Sequence, residues 1–241
     1  MTGLLNIKVK AFSGSAIFFV SALLTGILTS IIVIIIAPFS DSCAYKTGQC
    51  WCSLTLKSLK LFCGLSYRVE GQHNIPNEPC VIAIRHSSAW ETFAQAVIFP
   101  RQSWVMKKEL IFLPLFGLAW ISLKPITINR KSGRKAVKKI IQLGVQYIQK
   151  GRCVNIFPES TRMDENTIGR FGQSAALLAE NANCLILPVT HNAGKFWKRR
   201  GFIKYPGKIT MRIGPPISTN GKHHTDTTEE IKKWIGENKP I

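Results

Sequence analysis

Acidic residues are scarce in this chain: 13 Asp and Glu stand against 32 Lys and Arg, a formal net charge of +19 over 241 residues. That imbalance says nothing about fold, but it asks for an anionic partner, and nucleic acid, anionic lipid and phosphorylated or CoA-type substrates all qualify. Paired cysteines are lacking too. The seven cysteines, Cys43, Cys50, Cys52, Cys63, Cys80, Cys153 and Cys184, are odd in number and scattered. Cys50 and Cys52, the only close pair, have one residue between them, which suits neither a zinc knuckle nor a thioredoxin-like motif. The cysteines read as small apolar filler in a reducing compartment, and no metal is expected. Internal repeats, low-complexity tracts and long linkers are absent as well.

Charge is missing altogether from Ala11 to Ser40, and Ala16–Ala37 reads AIFFVSALLTGILTSIIVIIIA. About 20 apolar residues cross the hydrocarbon of a bilayer, so this is a membrane segment. A signal peptide would have a shorter apolar region and a small-residue cleavage site, and neither is evident. Lys8 and Lys10 precede the segment while Lys46, Lys57 and Lys60 follow it, so the flanking charge sets little orientation. A break at Thr25-Gly26 would instead make a re-entrant hairpin with both ends on the cytoplasmic side. The next stretch, carrying Trp51, Leu54, Leu59, Phe62 and Leu65, suits either the membrane surface or an ordinary packed helix. The chain therefore divides into residues 1–64, an anchor with an interfacial helix, and residues 65–241, a catalytic domain.

Beyond Gly64, short apolar runs alternate with helical patterns, the mark of an α/β sheet domain. Strands are predicted at Tyr67–Glu70, Cys80–Ile84, Ser103–Met106, Ile126–Asn129, Cys153–Phe157, Leu185–Val189 and Ile209–Ile213. From Gly133 to Lys150, Val137, Ile140, Ile141, Val145 and Ile148 form one helical stripe, with Ser132 placed as N-cap and Gly151 as C-terminal stop. The opposite face, with Lys131, Arg134, Lys135, Lys138, Lys139 and Lys150, reads as a solvated face or as a surface for a membrane or a carrier. Thr225–Asn238 opens acidic and closes basic, the charge order a helix dipole favours.

Two strand exits carry chemistry. His86 follows the apolar run CVIAI and precedes ETFAQAVIF, at the carboxyl edge where open α/β sheets place ligand sites. In RHSSAWETF the turn and first helical turn can fold the Glu91 carboxylate back onto the imidazole. A carboxylate on one ring nitrogen fixes the tautomer and leaves the other free to accept a proton. Alone, this spacing occurs often by chance. After the strand CVNIF comes FPESTR, where Arg162 offers a planar fork for a phosphate. Glu159 has a plainer reading, an ion pair with Arg162 across the turn.

RHSSAWETF, KKELIFLPLFG, ITINR, FPESTR and LILPV stand in the order and spacing of the glycerolipid acyltransferase family, and the chain most resembles bacterial lysophosphatidic acid acyltransferases. The likeness runs from about Tyr67 to Ile217. It implies a single mixed, mostly parallel sheet with flanking helices, of the glycerol-3-phosphate acyltransferase type, plus an N-terminal hydrophobic membrane helix or helical hairpin. It implies acyl transfer from acyl-CoA or an acyl carrier protein thioester to the hydroxyl of lysophosphatidic acid, with no cofactor besides that co-substrate. His86 matches the general base and Glu91 the acid that orients it. Arg130 and Arg162 match the phosphate clamp, with Lys107 and Lys108 as helpers. Glu159, Ser160 and Thr161 fall in the motif that organises the acceptor, and Val189 in a pocket wall. Anionic membrane lipids are further expected partners, and the setting is the cytoplasmic face of a bacterial inner membrane.

Three positions depart from the family pattern. Glu91 stands where Asp is usual, adding a methylene. Ser160 stands where Gly is usual, and at positive φ it would cost about 1 kcal/mol. Gly172 stands where a Lys is common, with Arg170 nearby to replace its charge. Ser87 and Ser88 read as caps of the following helix rather than nucleophiles, which favours direct transfer in a ternary complex. Two other functions compete. One is acylation of another acceptor, a lyso-ornithine lipid or a lysophospholipid. The other is binding without chemistry, through Lys195, Lys198, Arg199, Arg200, Lys204, Lys208 and Arg212 interleaved with aromatics. No nucleic-acid fold motif accompanies that cluster, so nucleic acid is not expected.

Overall fold

The computed structural model describes residues 2–241, with side chains from Lys8 onward. Helix α1 (Thr2–Ile36) is followed by α2 (Asp41–Cys63). The turn between them falls at Pro38, and of the two alternatives for the apolar segment the break at Thr25-Gly26 does not occur. Thr25 Oγ1 donates back to the Ser21 carbonyl at 2.7 Å, and Gly26 lets the helix close on Trp51, whose ring would lie 3.0 Å from an added Cβ. The break belongs to Pro38 because its ring forbids helical continuation. Gly14 allows a similar approach, since a Cβ there would meet the Phe62 carbonyl oxygen at 2.1 Å. In the first turn of α2, Asp41 pairs with Arg101 and Arg152 and lies 3.3 Å from the Lys124 ammonium.

Seven strands form one sheet: β1 (Leu65–Glu70), β2 (Val81–Ile84), β3 (Gln102–Lys107), β4 (Ile126–Ile128), β5 (Cys153–Ile156), β6 (Ile186–His191) and β7 (Gly207–Ile213), in the order β1-β7-β6-β2-β5-β3-β4. β6, β2, β5, β3 and β4 run parallel, while β7 pairs antiparallel with β6 and carries β1 parallel to itself. All seven predicted strands are present. The central ones are apolar on both faces, as expected of strands covered on both sides.

Alternation along β2 divides the core. Ile82 and Ile84 pack with Phe18, Leu56 and Leu59 of α1 and α2 and with Trp90 and Ala94 of α3 (Trp90–Ile98). Val81 and Ala83 pack with the other layer: α5 (Arg134–Gln149), α6 (Ser174–Ala182) and α8 (His224–Glu237). A short α4 (Phe116–Ser122) lies against α1, and α7 (Ala193–Phe196) follows β6. The predicted N-cap of α5 is displaced. Ser132 sits in a 3₁₀ turn, Arg130–Ser132, and the cap position is Gly133 at φ +47°, with no side-chain cap bond. Gly151 does end that helix region at φ +77°.

Lys8–Ile36 is long and apolar enough to cross a membrane. Its outward side presents Phe12, Phe19, Val20, Leu24, Leu28 and Ile35. Beyond α1, Phe39, Leu61, Phe112 and Leu118 are exposed as well.

Candidate active site

Because β2, β5, β3 and β4 are adjacent and parallel, their exits bring His86, Glu159–Arg162, Lys107-Lys108 and Arg130 to one edge of the sheet. His86 is held at its backbone from both sides. Its amide donates to Glu159 Oε2 at 2.6 Å, and its carbonyl accepts from the Met163 amide at 2.7 Å. The imidazole stacks on Phe157 with ring centroids 4.0 Å apart. Nδ1 meets Glu91 Oε1 at 2.8 Å, so the ionised carboxylate fixes Nδ1 as the protonated nitrogen. Nε2 has no hydrogen-bond partner among the described residues and is not enclosed.

Glu91 is fully buried and fully occupied. Oε1 also accepts from the amides of Ser87 and Ser88, and Oε2 accepts from Ser88 at 3.0 Å while lying 3.7 Å from His191 Nε2. Burial pushes this carboxyl up, but the His191 and His86 imidazoles and the Ser88 amide outweigh it and hold the group below its ordinary value. The extra methylene of Glu over Asp is absorbed by the turn. Of the two serines read as caps, Ser88 does accept from the Trp90 amide at 3.2 Å, whereas the Ser87 hydroxyl is enclosed without a partner.

Three site residues carried no signal in the sequence reading. His191, buried at the end of β6, faces Arg85 O at 3.0 Å through Nε2 and accepts from the Ala193 amide at Nδ1. Burial pushes its pKa down, against the opposing pull of the Glu91 carboxylate. Arg85, also buried, donates to the carbonyls of Asp164, Glu165 and Thr167 and so ties down the loop after Arg162. Phe157 supplies the stacking surface. A histidine at a second predicted strand exit, in LILPVTH, was the available hint for His191.

Glu159 makes no ion pair with Arg162; its carboxylate turns inward to the His86 amide, and burial pushes its pKa up. Ser160 adopts φ +57°, the case in which a side chain at this glycine position is strained. Thr161 is exposed beside it. Arg162 has no hydrogen-bond partner among the described residues, and its Nε is enclosed. Arg130 opens the 3₁₀ turn after β4; desolvation and the nearby charge of Arg162 push its pKa down while Glu109 pulls it up. Two guanidiniums thus face one region with little to neutralise them. Lys107 and Lys108 are exposed at the β3 exit, Lys107 lying 3.9 Å from Glu109.

Two cations of the basic, aromatic-rich segment are tied into the fold, while Lys195, Lys198, Arg200 and Lys208 stay exposed. Lys204 is buried among Phe18, Trp197 and Phe202, 4.8 to 5.1 Å from the ring centres, and its amide donates to Ser15 of α1. Arg212 is bound to Glu70 at 2.7 Å.

A family model described as Acyltransferase matches residues 66–192. The chain is 38% identical to the 1-acyl-sn-glycerol-3-phosphate acyltransferase of Pseudomonas aeruginosa over 192 residues, covering 78% of this chain and 75% of the relative. The chain belongs to the acyltransferase family. This acyltransferase is also 28% identical to human 1-acyl-sn-glycerol-3-phosphate acyltransferase beta, over 69% of its own length and 61% of the human protein. Its fold matches the crystal structure of the 1-acyl-sn-glycerophosphate (LPA) acyltransferase PlsC from Thermotoga maritima with a TM-score of 0.77 at 17% identity, covering 93% and 92% of the two chains. The acyltransferase thus has the mixed, mostly parallel sheet and N-terminal apolar helix that its motifs implied.

Proposed function

We propose that the acyltransferase moves an acyl chain from a thioester to the free hydroxyl of lysophosphatidic acid, giving phosphatidic acid. The observation that carries this reading is the pairing of an oriented, open His86 Nε2 with two under-neutralised guanidiniums on the same sheet edge. His86 Nε2 takes the proton of the hydroxyl as its oxygen attacks the thioester carbonyl carbon. The tetrahedral intermediate then expels the sulfur, which leaves as a thiol after receiving that proton from His86. Glu91 stabilises the imidazolium between the two steps, and such a base supplies about a hundred- to ten-thousandfold of rate. No protein hydroxyl bonds to Nε2 among the described residues, which suits direct transfer rather than an acyl-enzyme.

Arg130 and Arg162 hold the phosphate, with Lys107 and Lys108 at its outer edge. Glu159 keeps His86 in place from behind, and Ser160 and Thr161 shape the acceptor loop. The donor is acyl-CoA or an acyl carrier protein thioester, and no other cofactor takes part. Residues 1–64 anchor residues 65–241 to the cytoplasmic face of a bacterial inner membrane, in contact with anionic lipid. The anchor is re-entrant: Asp41, at the tip of the helical hairpin, pairs with Arg101, Arg152 and Lys124 of the sheet domain, so tip and domain share one side.

Purified protein in mixed micelles, given lysophosphatidate and a palmitoyl thioester, is expected to form phosphatidate. Equal rates with lyso-ornithine lipid or lysophosphatidylcholine, which lack a phosphate monoester, would overturn the acceptor assignment. Absence of transfer to any acceptor would overturn the whole reading.

A further inference from the structure

Between Glu109 and Glu159 the chain has no acidic residue, yet it carries Lys131 in the turn before α5 and Arg134, Lys135, Lys138 and Lys139 at the start of α5. All five are exposed, and among the described residues none has a carboxylate within 4 Å. Helix physics disfavours this placement. Cations at a helix N-terminus oppose the dipole, and within α5 Arg134 with Lys138 and Lys135 with Lys139 are like charges four apart. The charges therefore do not serve the helix.

Beside them, an open groove of about 470 Å³ runs between α5 and α6. Val137, Ile141 and Leu177 line it, and Arg134 and Lys138 stand on its rim. These three apolar residues belong to no core cluster, although Ile140 and Leu178 next to them do. The groove thus combines an apolar floor with a cationic rim, the complement of an amphipathic helix with acidic flanks.

Its place in the fold selects the occupant. α5 and α6 cover the face of the sheet opposite α1 and α2, so the groove points away from the exposed apolar surface of α1. A bilayer held by α1 does not reach it. α5 starts directly after the turn that bears Arg130, and α6 follows the loop after Arg162, so the groove opens beside the acceptor clamp.

We propose that the α5/α6 groove docks a soluble protein that presents an acidic amphipathic helix and carries the acyl group as a thioester on a flexible arm. The inference rests on the acyl-transfer reading above and decides between its two donors. Held there, the carrier is beside the edge that holds His86, and its arm can deliver the thioester.

The test compares wild type with Arg134→Glu/Lys138→Glu, using palmitoyl groups on acyl carrier protein and, separately, on coenzyme A. With the carrier protein as donor, kcat/KM falls about tenfold or more and loses its salt dependence, whereas with palmitoyl-CoA it changes less than about twofold. Leu177→Ala, which empties the floor without altering charge, lowers only the carrier-protein value. Equal losses with both donors, or none with either, overturn the proposal. So does a parallel loss of binding to phosphatidylglycerol vesicles, which would assign the face to lipid. Should the reversed variant fail to fold, Arg134→Gln/Lys138→Gln removes the same charges. Calorimetric titration of holo carrier protein into the enzyme needs no turnover, so it reads docking even if the acyl-transfer reading fails.

Discussion

Glu159 holds the backbone amide of His86, at 2.6 Å, and not the side chain of Arg162. The acid of one strand exit thereby holds the histidine of its neighbour and leaves the arginine free. Glu159→Ala strands a buried N–H and is expected to cost about 1–3 kcal/mol of stability along with turnover. Glu159→Gln keeps an acceptor and should lose far less of both. Urea unfolding and steady-state rates measure this; equal effects of the two substitutions would count against the positioning role.

Glu91 and Glu159 have opposite linkage to pH. Glu91 has a folded pKa below its unfolded value, so its contribution is present above about pH 4.3 and is lost as pH falls through the folded pKa. Glu159 has a raised folded pKa, so wild type loses stability at this site as pH rises from about 4.3 through the folded value. Unfolding free energies from about pH 3 to 7 should show wild type gaining on Glu91→Gln as pH rises and losing ground to Glu159→Gln. The same slope for both pairs would refute the assignment.

In activity, Glu91→Gln should reduce kcat by about a hundredfold or more, because the amide can present its NH₂ group and favour the wrong tautomer. Glu91→Asp should retain much more. Wild-type rates from both would end the idea of a dyad.

Arg162→Ala is expected chiefly to raise the KM for lysophosphatidate, and Arg162→Lys to restore only part of it because an ammonium lacks the planar fork. His86→Ala should abolish transfer with lysolipid binding nearly intact. Equal loss of binding in the two alanine variants contradicts the division of roles.

Ser160→Gly should stabilise the fold by about 1 kcal/mol, since Ser160 sits at φ +57° where a side chain is strained. A stabilisation near zero by thermal or urea unfolding would show that the loop relaxes around the serine.

The re-entrant anchor proposed above predicts that exposed Cys43, near the tip of the α1/α2 hairpin, reacts with a membrane-impermeant maleimide only from the side of the catalytic domain. Labelling from the opposite side in oriented vesicles would mean that α1 crosses the bilayer.

Much of this molecule was legible in one dimension because the relevant forces are local. Apolar runs of strand length bounded by turn residues located all seven strands, and the uncharged stretch from Ala11 marked the long apolar helix α1. The turn of RHSSAWETF is short enough for sequence spacing to permit the contact of Glu91 with His86, and Ser160 in a glycine position marked a place where strain would arise at positive φ.

What the sequence determined by itself was therefore the element order and the family motifs; its spacing permitted the His86–Glu91 contact without fixing it. Tertiary structure alone decided the partners that come from other strands: Glu159 on the His86 amide, His191 against Glu91, Arg85 tying the loop after Arg162, and Lys204 spent on α1. It also moved the break in the apolar segment to Pro38, because Gly26 packs on Trp51 instead of bending the helix. The physical reason is common to all of these. A buried polar group takes whichever partner the packed sheet brings within 3 Å, and that choice depends on strand order, which no local pattern encodes.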